Sequence, residues 1–227
     1  MTRKRVAILI SGRGSNMSAL IEAAKAQDYP AEIALVLSNR PDAAGLGRAA
    51  AAGIKTVVVD HTPYGKDREA FDRAVAAVLD AHRIELICLA GFMRLLSPTM
   101  VTRWEGRMLN IHPALLPSFK GLHTHAQALA AGAKIHGATV HFVVPEMDSG
   151  PIIAQASIAV AETDSVETLE ARVLEVEHRL YPLALKLVAE GRVHIVDGRC
   201  LIDGTPATAT PKRLAAHDRS DRIGKLI

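Results

Sequence analysis

Cysteine is nearly absent from this 227-residue chain, which holds only Cys88 and Cys200. Two isolated thiols make neither a disulfide framework nor a metal-ligand pattern, and Cys88 sits in an apolar run where a buried, inert thiol is expected. Aromatic residues are scarce at 4%, while 49% of the chain is hydrophobic. A core drawn from that composition must be mostly Ala, Val, Leu and Ile. Long apolar runs are missing as well. The opening MTRKRVAILI is basic, but its apolar part is too short for a signal peptide or a membrane span and reads as a strand. A cytoplasmic protein with no membrane partner is expected. Charge of one sign is lacking too: the net charge is +3 and the basic residues are scattered. Without aromatic–basic interleaving or zinc-finger spacing, nothing supports a nucleic-acid partner.

What the chain does have is alternation. β-rich runs at 5–10, 32–38, 56–59, 85–90, 108–111, 138–143 and 152–159 are separated by helical patterns at 16–27, 43–52, 66–82 and 124–131. Such alternation predicts an α/β fold with a mostly parallel sheet and helices on both faces. The last two strands are joined by a loop, which predicts an antiparallel element near the C-terminal part. A long helix follows over 165–190, with Asp164 and Glu167 as a capping-box-like start, Gly191 as a stop and Pro182 as a kink. VHIVDGRCLIDG then reads as a hairpin around Asp197-Gly198. There are no repeats and no low-complexity linker, so residues 1–200 are expected to form one domain, with 201–227 a tail of unknown role.

Ligands of open α/β sheets bind beyond the carboxyl ends of the strands. ISGRGSNMSAL follows the first strand and opens the first helix. Gly12 and Gly14 let the backbone turn tightly, and the amides of Gly14, Ser15 and Asn16 then point outward at a helix N-terminus, an anion site. A plain strand–helix turn is the bland alternative. A dinucleotide is disfavoured, because Met17 replaces the third glycine of G-x-G-x-x-G and Ser38-Asn39-Arg40 offers no acid to a ribose. Arg40 leaves a weak NADP 2′-phosphate reading. LAGFMRLLSP follows the fourth strand, where Met93, Leu95 and Leu96 wall an apolar slot; Arg94, taken alone, reads as a surface residue.

RMLNIHPALLP puts Asn110 and His112 on one face of a strand end that Pro113 and Pro117 stiffen. VHFVVPEMDSGPII carries Asp148 in a loop. A loop aspartate is usually a turn former, but folded over the 107–117 strand end it would pair with His112 and favour the imidazolium. His123, His125, His136 and His141 invite a metal, yet no Cys, no His-x-x-x-His and no nearby Glu complete a ligand set. No serine or cysteine is placed for attack. A carboxamide beside a cationic histidine suits the oxyanion of a tetrahedral intermediate, hence acyl or formyl transfer with the nucleophile supplied by the substrate.

LISGRGSN, SNRPDAAGL, GFMRLLSP, NIHPALLPSFKGLHTH, GATVHFVVPEMDSGPIIAQ and EHRLYP together closely resemble the phosphoribosylglycinamide formyltransferase family, in order, over about residues 5–192. The resemblance implies a Rossmann-like formyltransferase fold. It also implies transfer of the formyl group of 10-formyltetrahydrofolate to the amine of 5′-phosphoribosylglycinamide (GAR) in purine synthesis, without a metal. On that resemblance Gly14, Ser15 and Asn16 bind the GAR phosphate, Glu177 contacts the ribose, and Pro113 lies against the same substrate. Arg94 and the backbone of Met93, Leu95 and Leu96 hold the folate, and Arg68 lies near its glutamate tail. The loop from Val144 through Met147 to Asp148 covers the pterin, against Asn110. Asn110, His112 and Asp148 are catalytic, with His123 and His141 supporting. The partners implied are two small molecules, and a homodimer is left open.

Three other readings share parts of this pattern. A 10-formyltetrahydrofolate hydrolase shares Asn110, His112 and Asp148 but usually carries an N-terminal regulatory domain, for which Met1–Arg5 leaves no room. A tRNA-directed formyltransferase normally adds a C-terminal barrel, too large for the roughly 35 residues after Gly191. A non-catalytic nucleotide-binding module has no use for an oxyanion site.

Overall fold

The computed structural model describes residues 2–206. Ten strands and six α-helices follow one another as β1 (Lys4–Ile10), α1 (Ser15–Ala23), β2 (Ala31–Ser38), α2 (Ala44–Ala51), β3 (Thr56–Val58), α3 (Arg68–Ala81), β4 (Leu86–Leu89), α4 (Pro98–Arg103), β5 (Met108–His112), α5 (Thr124–Ala130), β6 (Ile135–Phe142), β7 (Ile152–Ala159), α6 (Val166–Ala189), β8 (Val193–Val196), β9 (Arg199–Ile202) and β10 (Thr205–Pro206). Strands β1 to β7 form one sheet in the order β3-β2-β1-β4-β5-β6-β7. The first five in that order are parallel, and β6 and β7 are antiparallel. This is the expected α/β architecture with its antiparallel element at one edge. The hairpin at Asp197-Gly198 is also present, as β8 and β9 of a separate three-stranded sheet. Of the tail 201–227, residues 207–227 lie outside the described residues.

Side-chain alternation divides the core in two. Val6, Ile8 and Ile10 face α1, α2 and α6, whereas Ala7 and Leu9 face α3 and α4. Each fully buried Leu or Ile contributes roughly 1.5–3 kcal/mol, so both layers help to hold the sheet against its helices. Tyr181 of α6 is fully buried, and its hydroxyl lies 3.0 Å from the Leu89 carbonyl and 3.1 Å from that of Leu109. One phenol thereby ties α6 to both β4 and β5.

Several boundaries differ from expectation for local reasons. α1 stops at Ala23 because the next amides, Lys25 and Ala26, bond three residues back. α6 is capped by Ser165 with Thr168 in a reciprocal capping box; Asp164, expected as the cap, instead accepts from Ala161 N and from Arg172. The helix continues through Pro182 to Ala189. α4 escapes a periodicity search because it is six residues long, although Ser97-Pro98 is a serine cap followed by a first-turn proline.

Two glycines of α2 make opposite demands. A Cβ on Gly45 would stand 2.5 Å from Ile10 Cδ1 and 3.1 Å from Gly12 O, whereas one on Gly47 would meet nothing within 4 Å. Gly45→Val is expected to destabilise the protein by about 1–3 kcal/mol through overpacking. Gly47→Ala is expected to stabilise it by about 0.5–1 kcal/mol through helix propensity. Urea unfolding of the two variants checks the opposite signs.

Candidate active site

The sheet order places the topological switch between β1 and β4, and both loops leaving these strands meet there. Ser11 N donates to Gly91 O at 3.1 Å and Met93 N donates to Ser11 Oγ at 2.7 Å. Ser11 Oγ in turn donates to the buried Asn39 at 2.6 Å. The β1–α1 loop turns through Gly14, which adopts the left-handed conformation at φ 71° as the N-cap of α1. A Cβ there would be 3.1 Å from Gly45 Cα and strained whatever the space. The first helical bond runs from Ser18 N to Gly14 O, so the amides of Ser15, Asn16 and Met17 face outward with the positive end of the helix dipole.

One side chain of this loop turns inward. Asn16 Nδ2 donates to Glu177 Oε2 at 2.6 Å, a buried contact between α1 and α6. Burial pushes the Glu177 carboxyl up to about 7, against the lowering effect of the Asn16 bond. Asn16 Oδ1 is buried without a partner, an acceptor suited to a ligand hydroxyl or amine.

At the end of β5, Asn110 pairs across the strands with His141 and His112 with Thr139. His112 is buried, and both of its ring nitrogens face oxygen: Nε2 lies 2.9 Å from Phe119 O and Nδ1 lies 3.5 Å from Asp148 Oδ2. Carbonyl and carboxylate oxygens only accept, so a ring protonated at both nitrogens satisfies both neighbours. Asp148 reaches this position because the 143–150 loop leaves β6 beside Met108 and folds back. It holds a left-handed φ of 51° and accepts from Gly121 N at 2.9 Å. Gly150 permits the return: a Cβ there would lie 1.8 Å from Phe142 O.

His141 plays the opposite electronic part. Its Nδ1 lies 2.8 Å from Phe142 O and must donate, while burial pushes its pKa down, so the ring is neutral at pH 7. Nε2 is then an acceptor for Asn110 Nδ2 at 3.2 Å. That bond fixes which end of the Asn110 carboxamide is the donor and leaves its second N–H available. The turn after His112 is set by Thr139, whose hydroxyl donates to Ala114 O at 2.6 Å and accepts from Leu116 N at 3.1 Å and Gln155 Nε2 at 2.9 Å.

The slot beyond β4 is open. A concavity of about 460 Å³ is lined by Gly65, Lys66, Arg68, Met93, Arg94 and Leu95. Met93 and Leu95 of this lining are 72% and 55% exposed, and Met147 of the 143–150 loop is 55% exposed. Arg94 is not the free surface residue it seemed in isolation. Its guanidinium stacks 4.7 Å from the Phe71 ring and donates to Gly65 O at 3.1 Å. Arg68 is exposed at the start of α3.

The structure thus brings Asn110, His112, His141 and Asp148 together. Asn16 and Glu177 meet where α1 packs on α6, Met93 and Leu95 line the slot beyond β4, and Met147 lies near Gly121 in the loop that carries Asp148. Pro113 follows His112 and accepts from Thr124 Oγ1 at 2.6 Å. His123 stands apart: it is exposed, left-handed at φ 58°, and caps α5. Arg40 is held by both of its bonds to Asp42, at 3.0 and 2.7 Å. Phe119, Gly121, Thr139 and Gln155 were not anticipated. Only the positive φ of Phe119 and the long-range bonds mark them, and neither is visible in a single sequence.

Comparison with known proteins agrees with this geometry. The formyl transferase family pattern matches residues 4–185. Phosphoribosylglycinamide formyltransferase of Escherichia coli (strain K12) is 44% identical over 88% of this chain and 93% of its own length. The crystal structure of glycinamide ribonucleotide transformylase 1 from Symbiobacterium toebii superposes with a TM-score of 0.85 at 46% identity, covering 88% of this chain and 94% of that one. The trifunctional purine biosynthetic protein adenosine-3 of Gallus gallus is 53% identical over 84% of this chain, which spans only 19% of that longer protein. The chain therefore belongs to the formyl transferase family, on its phosphoribosylglycinamide formyltransferase branch.

Proposed function

We propose that this chain transfers the formyl group of 10-formyltetrahydrofolate to the amine of GAR, giving formyl-GAR and tetrahydrofolate in de novo purine biosynthesis. The observation that carries this reading is the position of Asn110, His112 and Asp148. They stand at the carboxyl end of β5, on the same sheet edge from which the β1–α1 turn and the β4 loop with its slot emerge. Gly14, Ser15 and Asn16 receive the phosphate, Glu177 takes the ribose hydroxyls, and Pro113 lies against the same substrate. The pterin enters between Met93–Leu96 and the Val144–Asp148 loop, with Arg68 and Lys66 near the acidic tail.

The glycinamide amine attacks the formyl carbon, and charge develops on the formyl oxygen. Asn110 donates its free N–H to that oxyanion, and cationic His112 stabilises it. The tetrahedral intermediate collapses by breaking the bond to N10 of the folate. The proton lost by the amine must reach that nitrogen, and Asp148 assists the relay through His112 or water. His141 keeps Asn110 in its donating orientation, and no metal takes part. The two small molecules are its partners, without nucleic acid or membrane. Its site of action is the cytoplasm; among the described residues no helix is long and apolar enough to cross a membrane.

Purified protein with GAR and 10-formyltetrahydrofolate is expected to form tetrahydrofolate only when GAR is present, followed by absorbance and by formate assay. Formate release without GAR at a comparable rate would install the hydrolase reading instead.

Asp148→Asn keeps the shape and the bond to Gly121 but deletes the charge opposite His112. Turnover is expected to fall by ~100-fold or more, with the dissociation constants of both ligands changed by no more than about threefold. Near-normal turnover would remove Asp148 from the catalytic set.

Glu177 carries a stability cost that reveals its environment. Its folded pKa, pushed up to about 7, exceeds the unfolded value of ~4.3. The neutral form is favoured by folding, so its contribution is complete below pH ~4.3 and is lost as pH rises to about 7. Glu177→Gln is expected to be more stable than the parent at pH 8, by on the order of 3–4 kcal/mol, and to lose that advantage near pH 4. Denaturant titrations at both pH values measure it, and the same variant is expected to bind GAR more weakly.

A further inference from the structure

The β1–α1 loop carries one charged side chain that the proposed function leaves unused. Arg13 lies between Gly12 and Gly14, directly before the outward amides of α1. Its side chain is 80% exposed, and a single guanidinium nitrogen approaches Glu170 Oε1 at 3.3 Å. Glu170 precedes Glu177 by seven residues on α6, two helical turns, so both carboxylates leave the same face of that helix. Two contacts therefore cross to α6, one from the loop and one from the first turn of α1. The inner one, Asn16 to Glu177, is buried and 2.6 Å long. The outer one, Arg13 to Glu170, is long, exposed and made by one of the three guanidinium nitrogens.

Charge adds a reason for the outer pair to break. Glu170 helps raise the Glu177 carboxyl, so its negative field extends into the proposed acceptor pocket. A phosphate arriving at the α1 N-terminus would meet that field unscreened if Arg13 were absent. A guanidinium fork matches two phosphate oxygens at once, whereas an exposed pair with one carboxylate is worth little.

We propose that Arg13 is a phosphate-binding residue held in reserve on Glu170. In the free protein it neutralises that carboxylate. When the acceptor binds, its guanidinium swings over the phosphate and closes the outer side of a site whose floor is the α1 amides. The ligand class is a phosphomonoester dianion on a sugar. This rests on the acceptor side of the proposed function.

Steady-state kinetics with GAR test it in Arg13→Ala, Arg13→Lys and Glu170→Gln, with Tm as a check on folding. Arg13→Ala is expected to raise KM for GAR by about tenfold, the loss in kcat/KM being carried by KM, as for removal of one charge-assisted contact. The KM for the folate substrate should stay within about twofold. Arg13→Lys restores part of the loss and leaves a steeper salt dependence than the alanine variant. The sign for Glu170→Gln is decisive: a reserve partner predicts an unchanged or lower KM for GAR, whereas a structural strut predicts the same rise as Arg13→Ala. An equal rise in both variants, or an Arg13→Ala KM within twofold of the parent, overturns the proposal. If the parent does not formylate GAR at all, the proposed function fails separately, and calorimetry with ribose 5-phosphate then judges Arg13. Binding weakened in Arg13→Ala by about tenfold supports the inference, and equal or absent binding in the parent and variant overturns it.

Discussion

The site is organised by a buried imidazole that needs an oxygen on each side. His112 sits in a shell where water does not reach it freely, so both ring nitrogens must find partners within the protein. One comes from Phe119 O and the other from Asp148. Supplying them requires two loops to converge: 113–123 must curl under the ring, and 143–150 must fold back across β5. The left-handed residues Phe119 and Asp148 mark where each loop makes that approach. Local backbone strain of this kind persists only where surrounding contacts over-determine it. Here those contacts include Gly121 N on Asp148, Lys120 Nζ on Ser149 Oγ at 2.6 Å, and the saturated hydroxyl of Thr139.

His112 and His141 show how burial and partner choice separate two like residues on adjacent strands. His141 is forced to donate from Nδ1 to a backbone carbonyl and is driven neutral by desolvation. The neighbouring His125 and His136, 3.2 Å apart, are also depressed, His136 to about 4. Driven toward the neutral form by burial, these rings place no competing positive charge around His112. The two ligand sides differ in the same spirit. The α1 end is backbone-defined and packed on Gly45, whereas the slot beside Met93 is wide and exposed.

The architecture was legible because it rests on periodicity. Every strand of the seven-stranded sheet and every helix longer than six residues was anticipated to within a few residues, as were the antiparallel β6–β7 edge and the 197–198 hairpin. Asn110 and His112 were legible as a same-face pair for the same reason. What the sequence could not show was long-range pairing. Asp148 was linked to His112 only as a conditional contact, and His123 and His141, alike in the sequence, end in opposite environments. Arg94 looked like a surface charge, because nothing local announces that Phe71, twenty-three residues earlier, will lie beneath it. The start of α6 was misplaced by one residue, since Asp164 and Ser165 both suit a cap and only the Thr168 side chain decides between them.

Tyr181 gives the fold a property that no single catalytic residue has. Its hydroxyl grips the backbone of β4 and β5 together, and it lies one helical turn beyond Glu177 on α6. The strand that carries Asn110 and the helix that carries Glu177 are thereby locked at one separation by a fully buried ring. On the proposed function, that fixed separation would work as a caliper for the distance from sugar to amine in the acceptor. A molecule with the right phosphate and ribose but one methylene too many would seat both ends of its sugar phosphate correctly and present its amine past the formyl carbon. On that reading, selectivity for acceptor length would follow from the scaffold's stiffness, set in the core and read out at the surface.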